Sequence, residues 1–532
     1  MILTGDISTL NSEKYPNKVA FCDEDGASLT WSELNGNVNR LAGVLRSFGV
    51  QKGDRVALLA KNRLECFEAF FACAKLGAIY APVNYRFAPG EIAGVLRDSE
   101  ALVLLCDAEY ADTVVSITKS SDLARQVTVV GFGDGHGFSN DYRILLDSAS
   151  PEEPADVNVT EDDVCWICYT GGTTGNSKGV MLTHRNNLVQ FVQLGIADRI
   201  THDDVYLVTG ALFHVVLNMA LAYSLLGCMV VIMNFSAPKC LDLIEEKKVT
   251  KTLPLATMLN MLLEEHRLRP RDLSSLVLCG TGGAPINPDV IHRAAAEWQC
   301  DFVQYFGQTE AAQHFTYLSE RDYRRGFSAD ATEAERKRLW SGGRVQHFDR
   351  MRVVGDDDNT VPPGEIGEIC AQGPNVMAGY WNKPELTAET LRGGWLHTGD
   401  LGYLDEDGYV YIVDRKKDMI ITGGENVYST EVEAVLYRSD QVLECAVVAI
   451  PDPKWGEAVM AFVVKSALAH DDDAILEKEL RGLLREHLAG YKVPKQMSFV
   501  NELPKSATGK IQKHALRESF WAGYDRRVGA SS

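Results

Sequence analysis

Apolar and polar positions alternate along the first 150 residues between two periods. Trp31–Phe48 and Glu65–Leu76 repeat their apolar residues at helical spacing, which predicts amphipathic helices packed by one face. Val56–Ala60 and Ala101–Cys106 are short β-rich apolar runs, and they predict strands buried on both faces. This βα rhythm predicts a parallel sheet covered by helices, an α/β fold. Ser150-Pro-Glu-Glu-Pro-Ala-Asp-Val-Asn158 is acidic and proline-bearing and is expected to be a linker. Val164-Cys-Trp-Ile-Cys-Tyr169 then predicts a buried strand and Leu182–Leu194 a helix. A second βα series runs from about 205 to 310, and residues 320–338 are a charged, solvated excursion. After 345 the pattern changes to short strands and turns, as in Asp405-Glu-Asp-Gly-Tyr-Val-Tyr-Ile412. Asp414-Arg-Lys-Lys-Asp418 leads into a smaller α+β region. The predicted domains are therefore residues 1–416 and 417–532, each large enough for its own core. There are no internal repeats.

Composition narrows the class. At 532 residues the chain exceeds what one core fills, about 250–300 residues. It has 45% hydrophobic and 24% charged residues with a net charge of −20, which fits a soluble globular protein. That charge argues against nucleic acid or an anionic membrane surface as partner. An anionic nucleotide stays compatible, because local N–H groups and single lysines outweigh a screened distant field. The N-terminus Met1-Ile-Leu-Thr-Gly-Asp6 has neither a basic nor an apolar signal region. Phe213–Phe235 is the nearest thing to a membrane span, but His214, Asn218 and Asn234 interrupt it, so no transmembrane segment is expected. Most of the twelve cysteines sit in apolar runs. Cys165 and Cys168, three apart in a strand, are expected on opposite faces, as buried free thiols of a cytoplasmic protein.

The densest chemistry is Tyr169-Thr-Gly-Gly-Thr-Thr-Gly-Asn-Ser-Lys-Gly179, in which Thr170, Gly171, Gly172, Thr173, Thr174 and Gly175 precede Lys178. Glycines let the backbone approach a ligand and turn successive N–H groups inward, threonines add hydroxyl donors, and lysine adds charge. That is a polyphosphate-holding loop. It is not a Walker loop, since Lys178 lies between Ser177 and Gly179. Cys279-Gly-Thr-Gly-Gly-Ala-Pro285 follows the strand Leu276–Leu278, where bare backbone at a strand end admits a flat group. Tyr305-Phe-Gly-Gln-Thr-Glu310 follows Phe302–Gln304. Further on come Gly394-Trp-Leu-His-Thr-Gly-Asp400, Ile420-Ile-Thr-Gly-Gly-Glu-Asn-Val-Tyr-Ser-Thr-Glu431 and Leu503-Pro-Lys-Ser-Ala-Thr-Gly-Lys-Ile-Gln-Lys513.

Together and in this order, these segments resemble the motifs of the acyl-adenylate-forming ligases, the superfamily of acyl-CoA synthetases, nonribosomal adenylation domains and beetle luciferases. The resemblance covers roughly residues 15–520. It implies a large N-terminal domain of two helix-covered, mostly parallel sheets plus a small β-barrel, then a mobile C-terminal lid. Gly282, Gly283 and Ala284 would line adenine and acyl chain. Tyr305, Phe306 and Gly307 would contact the nucleotide, with Phe306 where the family has tyrosine, and Gln304 would read the adenine edge. Thr309 would donate to the α-phosphate, and Glu310, with Thr174, would hold Mg²⁺. Asp400 would bind the ribose hydroxyls with help from Arg415. Gly423 and Gly424 would pass the pantetheine arm, beside Trp455 as a wall of the coenzyme A channel. Ser429 or Thr430 would begin the next helix, and Lys417 would be the hinge. Lys510 would bridge carboxylate and α-phosphate as pyrophosphate leaves.

The implied reaction joins a carboxylic acid to ATP, giving acyl-AMP and pyrophosphate, and then transfers the acyl group to coenzyme A. His214 is a candidate gate at the carboxylate end. Phe213, Met219, Gly283, Ala311 and Ala312 form a small, apolar acid pocket suited to a medium-chain, aryl or arylpropenoic acid. Two alternatives share the motifs: a free-standing adenylation enzyme loading a separate carrier protein, and a non-catalytic AMP or acyl-AMP sensor. Luciferase-like oxidation shares them as well. The presence of both Lys510 and Glu310 argues against a sensor. A homodimer is the expected assembly.

Overall fold

A computed structural model describes residues 2–119, 123–155, 157–170, 177–283, 286–466, 468–505 and 511–521. Contacts group the chain into two compact units, residues 1–351 with 371–396, and residues 352–370 with 397–532. The expected boundary at Lys417 differs from this grouping, which joins 352–370 and 397–416 to the C-terminal region.

In the first unit, the described residues form a seven-stranded and a nine-stranded sheet. Strands Arg55–Leu59, Ile79–Val83, Val103–Asp107 and Thr128–Phe132 pair in parallel within the first. Their residues alternate between two cores, as a sheet covered on both faces requires. Val56, Leu58, Val103 and Leu105 belong to one, Ala57, Leu59, Leu104 and Cys106 to the other. Helix Trp31–Ser47 starts at Thr30, whose hydroxyl accepts from the Glu33 N–H while the Glu33 carboxylate accepts from the Thr30 N–H. Such a reciprocal cap fixes a helix start. Helix Glu65–Leu76 buries Phe67, Phe70 and Phe71 and ends at Gly77, whose φ of +65° suits glycine.

Strand Val164–Thr170 forms as expected, but it is followed by an antiparallel strand, Lys178–Thr183, before helix His184–Ala197. The alternation of buried Val180 and Leu182 with half-buried Met181 on the other face is that of a strand, and the helix waits for its cap, Thr183. Cys165 and Cys168 also depart from the expectation. The register shifts between Val164 and Trp166, so both thiols join the same core with Trp166, as a bulge resets the alternation. Both remain free and buried, like the other ten. Residues 320–338 contain helices Glu320–Gly326 and Glu333–Arg338, the first burying Tyr323.

In the second unit, strands Arg350–Val354, Gly367–Gln372, Leu396–Leu404 and Val410–Arg415 form a four-stranded sheet with two free ends rather than a closed barrel among the described residues. A five-stranded sheet follows. Its strand Val442–Asp452 sends Cys445, Val447 and Ala449 to one core and Ala446, Val448 and Ile450 to the other. Helices Ser429–Leu436 and Asp473–His487 cover the first with Val432, Leu436, Leu480 and Leu484. Helix Lys513–Trp521 covers the second with Leu516 and Phe520.

Candidate active site

In the first unit, strand Leu278–Gly282 pairs in parallel with Asp301–Phe306, so their two glycine-bearing ends come to the same sheet edge. A Cβ on Gly282 would sit 2.9 Å from the Tyr305 carbonyl, and one on Gly307 2.1 Å from the His314 Cα; at both positions only glycine fits. Gly283 follows with a φ of +77°. Gln304 is half-buried and accepts from the Tyr323 hydroxyl at 2.9 Å. Tyr305 differs from its assigned role. Its ring faces the core and its hydroxyl donates to buried Asp198, because strand alternation turns it opposite to its neighbours. Burial lifts the Asp198 carboxyl to about 6 against the hydrogen bonds it receives. Phe306, on the other face, is half-exposed and stands edge-on to Phe315.

Thr309–Ala311 is a 3₁₀ turn with Thr309 buried and Glu310 half-buried. Its neighbour Tyr380 lies in none of the sequence motifs. The Tyr380 hydroxyl donates to Glu310 Oε1 at 2.7 Å, and Lys178 Nζ lies 5.3 Å from the centre of the same ring. Strand Gly379–Tyr380 pairs with Lys178–Thr183, and Lys178 itself pairs with Thr170. One aromatic ring thus joins the end of the phosphate-loop hairpin to the acidic turn. The only sequence signal for Tyr380 is its place 70 residues beyond Glu310 in an ordinary Gly-Tyr pair. Among the described residues no three His, Cys, Asp or Glu side chains converge as metal ligands. A lone carboxylate with hydroxyl support fits Mg²⁺, which takes one or two carboxylates and completes its shell from phosphate and water.

Phe213 is buried edge-on to Tyr85 at 5.5 Å, and His214 is half-buried beside it. Met219 departs from a pocket-lining position: it is 1% exposed, with its sulfur 3.7 Å from the Tyr206 hydroxyl in the main core. Ala311 and Ala312 belong to the same core. Gly171, Gly172, Thr173, Thr174, Gly175, Ala284 and Lys510 lie outside the described residues.

In the second unit, Asp400 and Arg415 face each other on paired strands, with Nε 2.6 Å from Oδ1. Asp400 is buried and Arg415 half-exposed, so the carboxylate is oriented by a cation it need not share with the core. Beyond Arg415, Arg517 donates to the Lys417 carbonyl at 3.0 Å and pairs with Asp418 at 3.0 Å. Burial holds the Lys417 ammonium below its ordinary range. Asp414 accepts from the Ser429 N–H and hydroxyl at 2.5 and 2.7 Å, and Lys513 reaches Ser429 Oγ at 2.5 Å and Glu433 at 2.8 Å. Burial raises the Asp414 carboxyl, with Lys513 opposing the rise.

Gly423 and Gly424 turn the hairpin between Ile420–Thr422 and Glu425–Val427, with φ of +62° and +87°, as a tight two-residue turn demands. The Gly423 N–H donates to the Trp455 carbonyl at 2.9 Å, and a Cβ there would lie 2.7 Å from the indole. Trp455 is 43% exposed, with Lys454 and Lys495 4.6 and 5.2 Å from its ring. Two residues far apart in sequence and both assigned to coenzyme A therefore touch.

Residues 9–381 match the AMP-binding enzyme family and residues 431–510 match the AMP-binding enzyme C-terminal domain; the chain belongs to this family. It is an AMP-forming acid–thiol ligase, an acyl-CoA synthetase that uses ATP, Mg²⁺ and coenzyme A. It is 40% identical over 498 residues to a feruloyl-CoA synthase of an Amycolatopsis species, covering 93% of this chain and 94% of that one. It is 34% identical over 516 residues to a fatty acid–[acyl-carrier-protein] ligase of Streptomyces coeruleorubidus, covering 95% and 94%. Among solved structures it is similar to an anthranilate CoA ligase in complex with anthranoyl-AMP, with a TM-score of 0.86, 26% identity, and coverage of 98% and 97%. No helix among the described residues is long and apolar enough to cross a membrane.

Proposed function

We propose that the acid this ligase activates is an aryl or arylpropenoic acid. The similarity to a feruloyl-CoA synthase carries this reading, and the anthranilate ligase supports it. The aromatic pair Phe213–Tyr85 beside His214 suits a flat ring. Bound Mg²⁺ supplies charge neutralisation of the triphosphate. Glu310 holds it, with Tyr380 orienting the carboxylate. Lys178 and the loop ahead of it, Thr174 included, grip the phosphates, Thr309 donates to the α-phosphate, and Phe306 and Gly282–Gly283 receive the adenine edge that Gln304 reads. Asp400 serves the ribose under the control of Arg415. Lys510 stabilises charge as pyrophosphate leaves, so its contribution falls on adenylation. Gly423, Gly424 and Trp455 admit the thiol arm after rotation at Lys417, where a lid of residues 417–532 begins. The protein works in the cytoplasm as a homodimer.

Steady-state pyrophosphate release with ferulate, cinnamate, anthranilate, indoleacetate, octanoate and palmitate tests the acid class. An arylpropenoic acid is expected to give the highest kcat/KM; a saturated fatty acid in first place overturns the reading. The carrier-protein ligase relative favours one second reading, a phosphopantetheine acceptor on a separate protein. Preference for coenzyme A over a loaded carrier in the same assay rejects it.

A further inference from the structure

The turn that presents Thr309 and Glu310 is held from below by buried carboxamides. Three successive carbonyls accept from two other parts of the first unit, the 375–377 segment and helix Val216–Leu225. The Glu310 carbonyl accepts from the Met377 N–H at 2.8 Å. That of Ala311 accepts from Asn375 Nδ2 at 3.3 Å, and that of Ala312 from Asn218 Nδ2 at 2.5 Å. Asn218 and Asn375 are both 0% exposed. Ala312 has a φ of +56°, a conformation an alanine keeps only where surrounding bonds impose it.

The supports are themselves fixed. Asn186 Nδ2 donates at 2.8 Å to the carbonyls of Pro374 and of Val376, which flank Asn375. The two hydrogens of Asn375 Nδ2 are shared between the Ala311 carbonyl and three further acceptors, Gln190 Oε1 at 3.2 Å, Asp349 Oδ2 at 3.1 Å and the His314 carbonyl at 3.4 Å, and a Cβ on Gly373 would lie 2.0 Å from Asp349 Oδ1. Asn218 sits on helix Val216–Leu225, directly after Phe213 and His214. The turn that carries the acid-pocket residues Phe213 and His214 therefore leads straight into the helix whose third residue supports the metal-binding turn.

We propose that Asn218 and Asn375 are positioning residues for Glu310, and that Asn218 couples the helix following the acid-pocket turn to the metal-binding turn. Buried amide donors of this kind cost desolvation when left unpaired, so they hold their carbonyls in one place. Moving those carbonyls moves the Glu310 carboxylate. The proposal rests on the reading of Glu310 as the Mg²⁺ ligand.

The test is Mg²⁺ titration of acyl-adenylate formation by the full chain, alongside conversion of supplied acyl-AMP and coenzyme A. Asn218→Asp and Asn375→Ala should each raise the half-activating Mg²⁺ concentration at least about tenfold, the range seen when support of a metal ligand is lost. The supplied-intermediate reaction should stay within about twofold of wild type, since pyrophosphate departure is no longer involved. Asn39→Asp is the control: Asn39 is 4% exposed and donates to the Pro151 carbonyl at 2.9 Å, away from the turn and from helix Val216–Leu225. It should lower Tm without shifting the metal titration. If both variants melt normally and titrate like wild type while Glu310→Gln shifts the titration, positioning is overturned and the metal assignment stands. If Glu310→Gln is silent too, the metal assignment falls first. Equal shifts in Asn39→Asp would reduce the effect to general destabilisation and overturn the proposal.

Discussion

Tyr380 shows most directly how single side chains set the chemistry. Its hydroxyl holds one oxygen of Glu310 and its ring lies under Lys178, so it orders the two charges proposed to meet the triphosphate. Burial next to Glu310 raises the phenol well above its ordinary range, which keeps it a donor at any working pH. Tyr380→Phe keeps the ring and removes the donor. Hydrogen bonds to charged groups contribute about 1.5–3 kcal/mol, so kcat/KM for adenylation should fall at least about tenfold, with conversion of supplied acyl-AMP nearly unchanged. Equal loss in both half-reactions would place Tyr380 in general folding instead. Chemically unused residues are also legible at this scale. The Cys165 thiol is pushed up to about 12 by burial and is inert for that reason.

Among the elements, the segment from Asp414 to Asp418 carries the proposed hinge. Bonds that span it tie helix Ser429–Leu436 back to strand Val410–Arg415: Ser429 to Asp414, and the Thr430 hydroxyl to the Val413 carbonyl. Glu431 pairs instead with Lys492 at 2.7 Å. A rotation at Lys417 must break the first two, while Arg517 grips the Lys417 carbonyl itself. Proline fixes φ near −65° and removes the N–H, and hinges work through φ/ψ changes at one or two such positions. Lys417→Pro should therefore still form acyl-AMP, while its conversion by coenzyme A falls by about two orders of magnitude, the scale of a badly placed reacting group. Single-turnover kinetics of each half-reaction, with melting as the folding control, decide this. Normal thiolysis in a folded variant would move the hinge elsewhere.

For the whole molecule, buried titratable groups make stability depend on pH in a predictable way. Asp349 is enclosed with Gln193 and Asn375 as partners, and burial lifts its carboxyl to about 7, against those hydrogen bonds. Between its ordinary value of 3.8 and about 7 the folded state holds a proton that the unfolded chain has lost. Stability therefore falls as pH rises through that window. Asp349→Asn removes this fall, so its Tm relative to wild type should be higher at pH 8 than at pH 4.5. A constant difference across that range would show that Asp349 is ionised when folded. His314 acts on the acid side. Burial lowers it to about 3, so stability is lost as pH drops from its ordinary 6.5 toward that value.

The alternating elements, the glycine-dense turns and the order of the motifs were legible in the chain alone, because those depend on local periodicity and on what glycine and threonine do to a backbone. Helix Glu65–Leu76 and strand Val164–Thr170 were legible for that reason. Strand Lys178–Thr183 was not. It extends by pairing with Val164–Thr170 and Gly379–Tyr380, and pairing is a tertiary choice that overrides a short apolar run's ambiguity. The bulge that puts Cys165 in the same core as Cys168 is of the same kind. Only the tertiary structure could bring Tyr380 to Glu310, Trp455 to Gly423, and Asn218 and Asn375 beneath Ala311 and Ala312. Those groups act through hydrogen bonds and close approach between segments distant in the chain, and neither leaves a period or a motif in the sequence.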